Sequence, residues 1–125
     1  MAERERTWPW WIGFAAVSAL ALWFTWRAYH DDVPDLFRAY DKAVHFSFAG
    51  GLAFFLHRAT GRRSLWPVFG LLVIFGAEEI AQRASIHRTS SILDYAADVC
   101  GVVVFTLLAR ISKPARAKPA DDVAE

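Results

Sequence analysis

Residues 78–101 read EEIAQRASIHRTSSILDYAADVCG and place two groups of ionisable side chains between two strongly apolar runs. The run before this stretch, 64–77, contains no Asp, Glu, Lys or Arg, and neither does the run after it, 99–109. Ionisable groups in sequence of this kind are costly in a bilayer and rarely accidental. The stretch therefore indicates two membrane-type helices whose polar ends meet at one short connection.

The apolar runs are long enough to cross a bilayer only when their polar ends are included. A spanning helix needs about 20 residues, and the run 7–26 has 20 without a charge. The other three predicted spans, 41–58, 64–83 and 92–110, reach a comparable length when their polar ends are counted. The sequence therefore predicts an all-α fold, a four-transmembrane-helix bundle within residues 1–112. The remainder, 113–125, is rich in Pro, Ala and charge, and is expected to be a disordered cytoplasmic tail.

Two other interpretations of the apolar runs are less consistent with the sequence. The first run resembles a cleaved signal peptide because arginines precede it, but bulky side chains (Trp23, Phe24 and Trp26) occupy the region of a cleavage site. A soluble four-helix bundle would show a polar face along each helix. The runs 64–77 and 99–109 are instead apolar on all sides, which favours a membrane protein.

The positive charges favour one orientation in the membrane. With four spans, the two termini and the connection between spans two and three share one side, which carries nine of the 14 Lys and Arg residues. The excess predicts that both termini are cytoplasmic. The net charge of only +1 gives no field that would attract nucleic acid, so the expected partner is the lipid bilayer.

This topology brings polar residues from three spans and one loop to the same, extracytoplasmic, membrane depth. The predicted binding residues are Asp41, Lys42, His45, Glu78, Glu79, Gln82, Arg88, Asp94 and Asp98. Asp94, Asp98 and Gly101 follow helical spacing along one stripe, and Gly101 would let another helix approach closely. Two simpler interpretations stay open: these are interfacial charges facing lipid headgroups, or they form an ion-pair network that holds the helices together.

Three of these elements, in order, resemble the VanZ-like family of small membrane proteins. The family pattern Asp-Lys-x-x-His stands at 41–45, and acidic-Glu-x-x-Gln stands at 78–82. Arg88 is followed by the family's Asp-x-x-x-Asn-x-x-Gly at 94–101, with Asp98 in place of the Asn. The resemblance covers about 41–110. It implies a multi-pass membrane protein of the bacterial cell envelope, linked to resistance to glycopeptides such as teicoplanin, and leaves the biochemical activity open.

The favoured hypothesis is a polar pocket that binds a polar or lipid-linked headgroup, such as that of a lipid-linked cell-wall precursor. In this hypothesis Lys42 and Arg88 hold anionic oxygens, and Arg offers a bidentate fork. No cofactor is expected. Four spans enclose little volume, so a homodimer is one way to enlarge the site.

The alternative hypothesis is a membrane-embedded hydrolase or transferase in which His45 and Glu79 act as general acid and base. Its metal-dependent form would use oxygen and imidazole ligands from the set His45, Glu79, Asp94 and Asp98. The sequence contains no Gly-rich phosphate loop, no His-Glu-x-x-His and no paired Cys. The first hypothesis is therefore preferred, with no resident metal.

Overall fold

A computed structural model describes residues 6–61, 64–85 and 91–112, and within these ranges the chain is helical with no strand. The predicted all-α fold is thereby confirmed for the described residues. The helices are α1 (Trp8–Tyr29), α2 (Asp35–Ala39), α3 (Asp41–Ala59), α4 (Trp66–Gln82) and α5 (Ile92–Ile111). The four long helices begin and end within three residues of the predicted segments, whereas α2 was not predicted. The predicted tail lies outside the described residues, as does Arg88.

The helix starts follow local sequence signals. Pro9 and Pro67 each occupy the first turn of a long helix, α1 and α4, where a missing N–H costs nothing. Ser91 precedes α5, and its Oγ accepts a hydrogen bond from the Leu93 backbone N–H at 3.2 Å, which satisfies one free donor of the first turn. Pro34 precedes the short helix α2, whose first turn contains an acidic residue.

Two helices of the described part of the chain, α1 and α5, are long and apolar enough to cross a membrane. The apolar window of α1 has no buried residue, and one third of that of α5 is buried. Exposed apolar surface of this extent suits a lipid environment. A signal sequence or a buried core helix can have the same length and apolar composition. Helices α1 and α5 therefore indicate association with a membrane and do not define the number of spans.

Helix α3 lies at the centre of the fold and contacts every other helix. It runs parallel to α5. Lys42, near the start of α3, binds Asp94 near the start of α5, and Arg58, near the end of α3, binds the Ser112 carbonyl just after α5. Helix α4 packs against both α3 and α5. Among the long helices, α1 packs against α3 alone.

The contact between α3 and α5 is close because of Gly101. A Cβ at this position would collide with the Phe46 carbonyl oxygen of α3 and would lie 3.1 Å from the Gly50 backbone nitrogen. Glycine here therefore lets the two backbones meet, as the sequence predicted for this position. Around it, the buried core is formed by α3 and α5 residues together with α4: Ala49, Leu52, Ala53, Leu56, Val68, Leu71 and Val102.

The end of the bundle where α3 finishes is held by a buried arginine. Arg58 is 1% exposed, and its Nη1 donates to the carbonyl oxygens of Ser112 at 3.1 Å and Ala109 at 3.5 Å. Its guanidinium carbon lies 4.3 Å from the centre of the Trp10 ring. A cation at the C-terminal carbonyls of a helix is favourable. Arg58 therefore connects α1, α3 and α5 at this end.

We expect Gly101→Ala to destabilise the protein, because the added Cβ meets backbone atoms of α3 that cannot rotate away. The loss should be about 1–3 kcal/mol in the free energy of unfolding, as for overpacked cores. Gly70→Ala on α4 is the matched control, since a Cβ there would meet nothing within 4 Å. Thermal unfolding in detergent, followed by tryptophan fluorescence, checks this; equal midpoints for the two variants would contradict it.

Candidate functional site

The polar end of the bundle is the end at which α3 begins, α4 ends and α5 begins. Since α3 and α5 are parallel and α4 runs in the opposite direction, polar residues near these three termini come to one level. Asp94 and Asp98 are buried on the face of α5 that packs against α3. The stripe predicted from the spacing of Asp94, Asp98 and Gly101 is therefore the α3-facing stripe of α5.

His45 and Asp98 form a hydrogen-bonded pair across the α3–α5 contact. The His45 Nδ1 donates to Asp98 Oδ1 at 3.0 Å, and both side chains are largely buried. The Nε2 of the same ring lies 3.8 Å from Asp41 Oδ1. A carboxylate that accepts from one ring nitrogen holds the imidazole in a single orientation. Asp98, the residue that departs from the VanZ-like pattern, thus positions His45 with its Nε2 towards Asp41.

Lys42 and Asp94 form a second pair on the same interface. The ammonium donates a hydrogen bond to Asp94 Oδ1 and also lies 3.8 Å from Asp41 Oδ2. The Asp94 side chain is only 4% exposed, whereas that of Lys42 is 51% exposed. A buried carboxylate needs a compensating cation. Lys42 supplies that charge, so its ammonium is already engaged within the protein.

The α4 residues contribute a third group. Gln82 is fully buried, and its Nε2 donates to Glu78 Oε1 one turn earlier, at 2.9 Å. Glu79 is buried on the same helix, and one of its oxygens lies within 4.8 Å of ligand atoms of His45 and Asp98. The predicted α4 residues therefore join the α3–α5 pairs at the polar end.

Two sets of these residues have the spacing of metal ligands. One set consists of His45, Glu79 and Asp98, and the other of Asp41, His45 and Asp94. In the second set, Asp94 already binds the Lys42 ammonium. The first set is the better candidate for a divalent cation, because its three ligands are mostly buried and combine oxygen with imidazole.

A cavity of about 320 Å³ opens beside these groups. Four of the predicted site residues line it: Asp41, His45, Glu78 and Asp98. The lining also includes the aromatic rings of Phe24, Phe37 and Phe48, from α1, α2 and α3. We call the four residues of the first group the charged wall and these three rings the aromatic wall. Its described lining does not include Lys42, Glu79, Gln82 or Asp94.

The connection between α1 and α3 supplies site residues that the sequence did not indicate. Arg38 Nη2 lies 2.6 Å from Asp31 Oδ1, and its Nε donates to the Val33 carbonyl oxygen at 3.2 Å. All three residues line the cavity. The bond to Asp31 and the charge of that carboxylate raise the pKa of Arg38. Pro34 followed by Asp35 is a sequence signal for the start of a helix. It does not indicate that this helix, α2, lies against the cavity.

A double-mutant cycle on Lys42 and Asp94 tests whether this pair stabilises the fold. We expect Lys42→Met to destabilise, because it leaves Asp94 buried without its cation, and Asp94→Asn to relieve most of that loss. The coupling should be about 1 kcal/mol, reduced by the solvent around the half-exposed ammonium. SDS-induced unfolding in mixed micelles measures it.

The exposed pair Arg38–Asp31 provides the control cycle. Its side chains are 52% and 55% exposed, so Arg38→Met and Asp31→Asn should show much weaker coupling. Equal coupling in the two cycles would mean that burial of Asp94 does not matter.

Comparison of the chain with protein-family models, with curated proteins and with solved structures finds no match. The function is therefore argued from the site itself.

Proposed function

We propose that this chain is a VanZ-like integral membrane protein of the bacterial cell envelope, in which the cavity at the polar end binds the headgroup of a polar or lipid-linked molecule. A lipid-linked cell-wall precursor is the ligand class that the envelope assignment favours. The proposal includes the role in glycopeptide (teicoplanin) resistance that the resemblance implies.

The observation that carries the proposal is the cavity with two unlike walls. Asp41, His45, Glu78 and Asp98 offer charge and hydrogen bonds. In the aromatic wall the centre of the Phe24 ring lies 4.9 Å from that of Phe37 and 5.7 Å from that of Phe48. Binding sites for small molecules combine an apolar lining with a few convergent polar groups. A molecule with a polar headgroup and an apolar portion can use both walls.

The proposal also includes the topology, in which the chain crosses the membrane four times and both termini are cytoplasmic. Helices α3 and α4 have 19 and 17 residues, at the lower end of the length that crosses a bilayer, which is about 17–25 residues. The polar residues of α3 and α5 bind one another, which keeps them away from lipid. The distribution of Lys and Arg along the sequence supports an extracytoplasmic polar end in this proposal.

A bulky side chain that fills the cavity should prevent the ligand from binding. Ala21 lines the cavity from α1, whereas Ala19 on the same helix is exposed outside it. We expect Ala21→Trp to lower the amount of co-purified lipid-linked molecule by about tenfold, equivalent to about 1.4 kcal/mol of binding free energy. Ala19→Trp should change nothing. Native mass spectrometry of the chain purified from bacterial membranes in dodecyl maltoside gives the occupancy; the same occupancy in both variants would refute the proposal.

The His45–Asp98 pair favours a second candidate function, a membrane-embedded hydrolase or transferase. A histidine held by a carboxylate is a common general base, and Glu79 lies close enough to act with it or to share a metal ion. In this candidate His45, which lines the cavity, exchanges protons with a substrate there, and Glu79 acts as the second acid/base group from its position beside His45.

Metal analysis tests the metal-dependent form of this second candidate. Purified protein supplied with Zn²⁺, Mn²⁺ or Mg²⁺ should retain about one equivalent of one ion after gel filtration, because three protein ligands, as in catalytic zinc sites, hold the ion. Glu79→Ala should lose it, and Asp35→Asn, at an exposed position on α2, should keep it. Retention of metal by Glu79→Ala, or no bound metal in the unsubstituted protein, would exclude this form.

A further inference from the structure

We infer that the cavity selects an amphiphile whose headgroup carries an ammonium group. This inference rests on the headgroup-binding function proposed above, and it specifies a cationic headgroup for the same site in place of the anionic oxygens that the sequence led us to expect. Its basis is the sign of the charges on the cavity wall together with the aromatic rings that line the same cavity.

The described lining of the cavity carries more negative than positive groups. Its acids are Asp31, Asp41, Glu78 and Asp98, and its permanent cation is Arg38. Arg38 is bound to Asp31, so these two neutralise each other. Lys42, a further cation at the polar end, is bound to Asp94 and is not in the described lining. The remaining carboxylates would repel an anionic headgroup and attract a cationic one.

Among these carboxylates, Glu78 is the one best placed for a ligand cation. The hydrogen bond described for its side chain comes from the Gln82 amide, which is neutral. Asp98, by comparison, is paired with the His45 ring, and Asp41 lies 3.8 Å from both Lys42 and His45. A partly buried carboxylate is stabilised when a cation approaches it. An ammonium at the charged wall would supply that cation to Glu78.

The aromatic wall suits the same ligand. Phe24, Phe37 and Phe48 form a continuous group of rings, with neighbouring ring centres 4.9 and 5.7 Å apart. The faces of aromatic rings attract ammonium groups, most strongly where water is excluded. The same rings offer apolar surface to methylene groups. A bare metal ion would use the carboxylates of this cavity and leave its aromatic wall unused.

Calorimetric titration of the full chain in dodecyl maltoside micelles tests this inference with three probes of equal chain length: decylammonium, decyl sulfate and decanol. Ala21→Trp, whose cavity is filled, gives the heat of partitioning into the micelle, which is subtracted. We expect decylammonium to bind about tenfold more tightly than decyl sulfate, and Glu78→Gln to weaken decylammonium by about tenfold, as for one charge-assisted hydrogen bond. Asp35→Asn, which removes an exposed carboxylate outside the described lining, should leave binding unchanged.

The outcomes separate this inference from the function on which it rests. If decyl sulfate or decanol binds to the cavity as tightly as decylammonium, the ammonium preference is refuted and the headgroup-binding function stands. Equal weakening by Glu78→Gln and Asp35→Asn also refutes it, because the effect would then reflect general surface charge. If no probe distinguishes the unsubstituted chain from Ala21→Trp, both the inference and the proposed function fail. Thermal unfolding of each variant verifies that it is folded.

Discussion

The close, parallel contact between α3 and α5 is the constraint on which the rest of the structure depends. Gly101 allows the backbone of α5 to reach the Phe46 carbonyl of α3. Once the two helices are held in that register, Lys42 meets Asp94, and His45 meets Asp98. The same alignment brings Arg58, about four turns after Lys42 on α3, to the Ser112 carbonyl just after the end of α5. Packing in the middle of the helices thus determines the electrostatics at both ends.

The two ends of this contact use polar groups differently. At the Arg58 end, a cation is placed against helix carbonyls and a Trp10 ring, which is an interaction within the fold. At the polar end, carboxylates are more numerous than the cations described beside them, and several of them face a cavity. Replacing a buried ion pair by apolar side chains is often neutral or stabilising. Stability alone therefore gives little reason for so many acids at the polar end, whereas ligand recognition does.

Much of this arrangement was predictable because it depends on local sequence. The lengths of the apolar runs gave the four long helices, and helical spacing gave the α5 stripe of Asp94, Asp98 and Gly101. Individual pairings were not predictable, since spacing within one helix does not say which residue of another helix it meets. Lys42, for example, was expected to hold anionic oxygens of a ligand, and the sequence did not indicate that it binds Asp94. Helix α2, with five residues, is too short to show a helical period, so the aromatic wall that it helps to form was missed.

The position of α1 gives the cavity an unusual geometry of access. Among the long helices this one contacts only α3, yet it supplies part of the cavity wall, including Ala21, Phe24 and Ala28. Sideways separation of α1 from α3 would break that interface and the Phe24–Phe37 contact with α2. It would leave the buried pairs between α3 and α5 intact. The side formed by α1 is therefore the side at which the cavity can open with the least change to the rest of the fold.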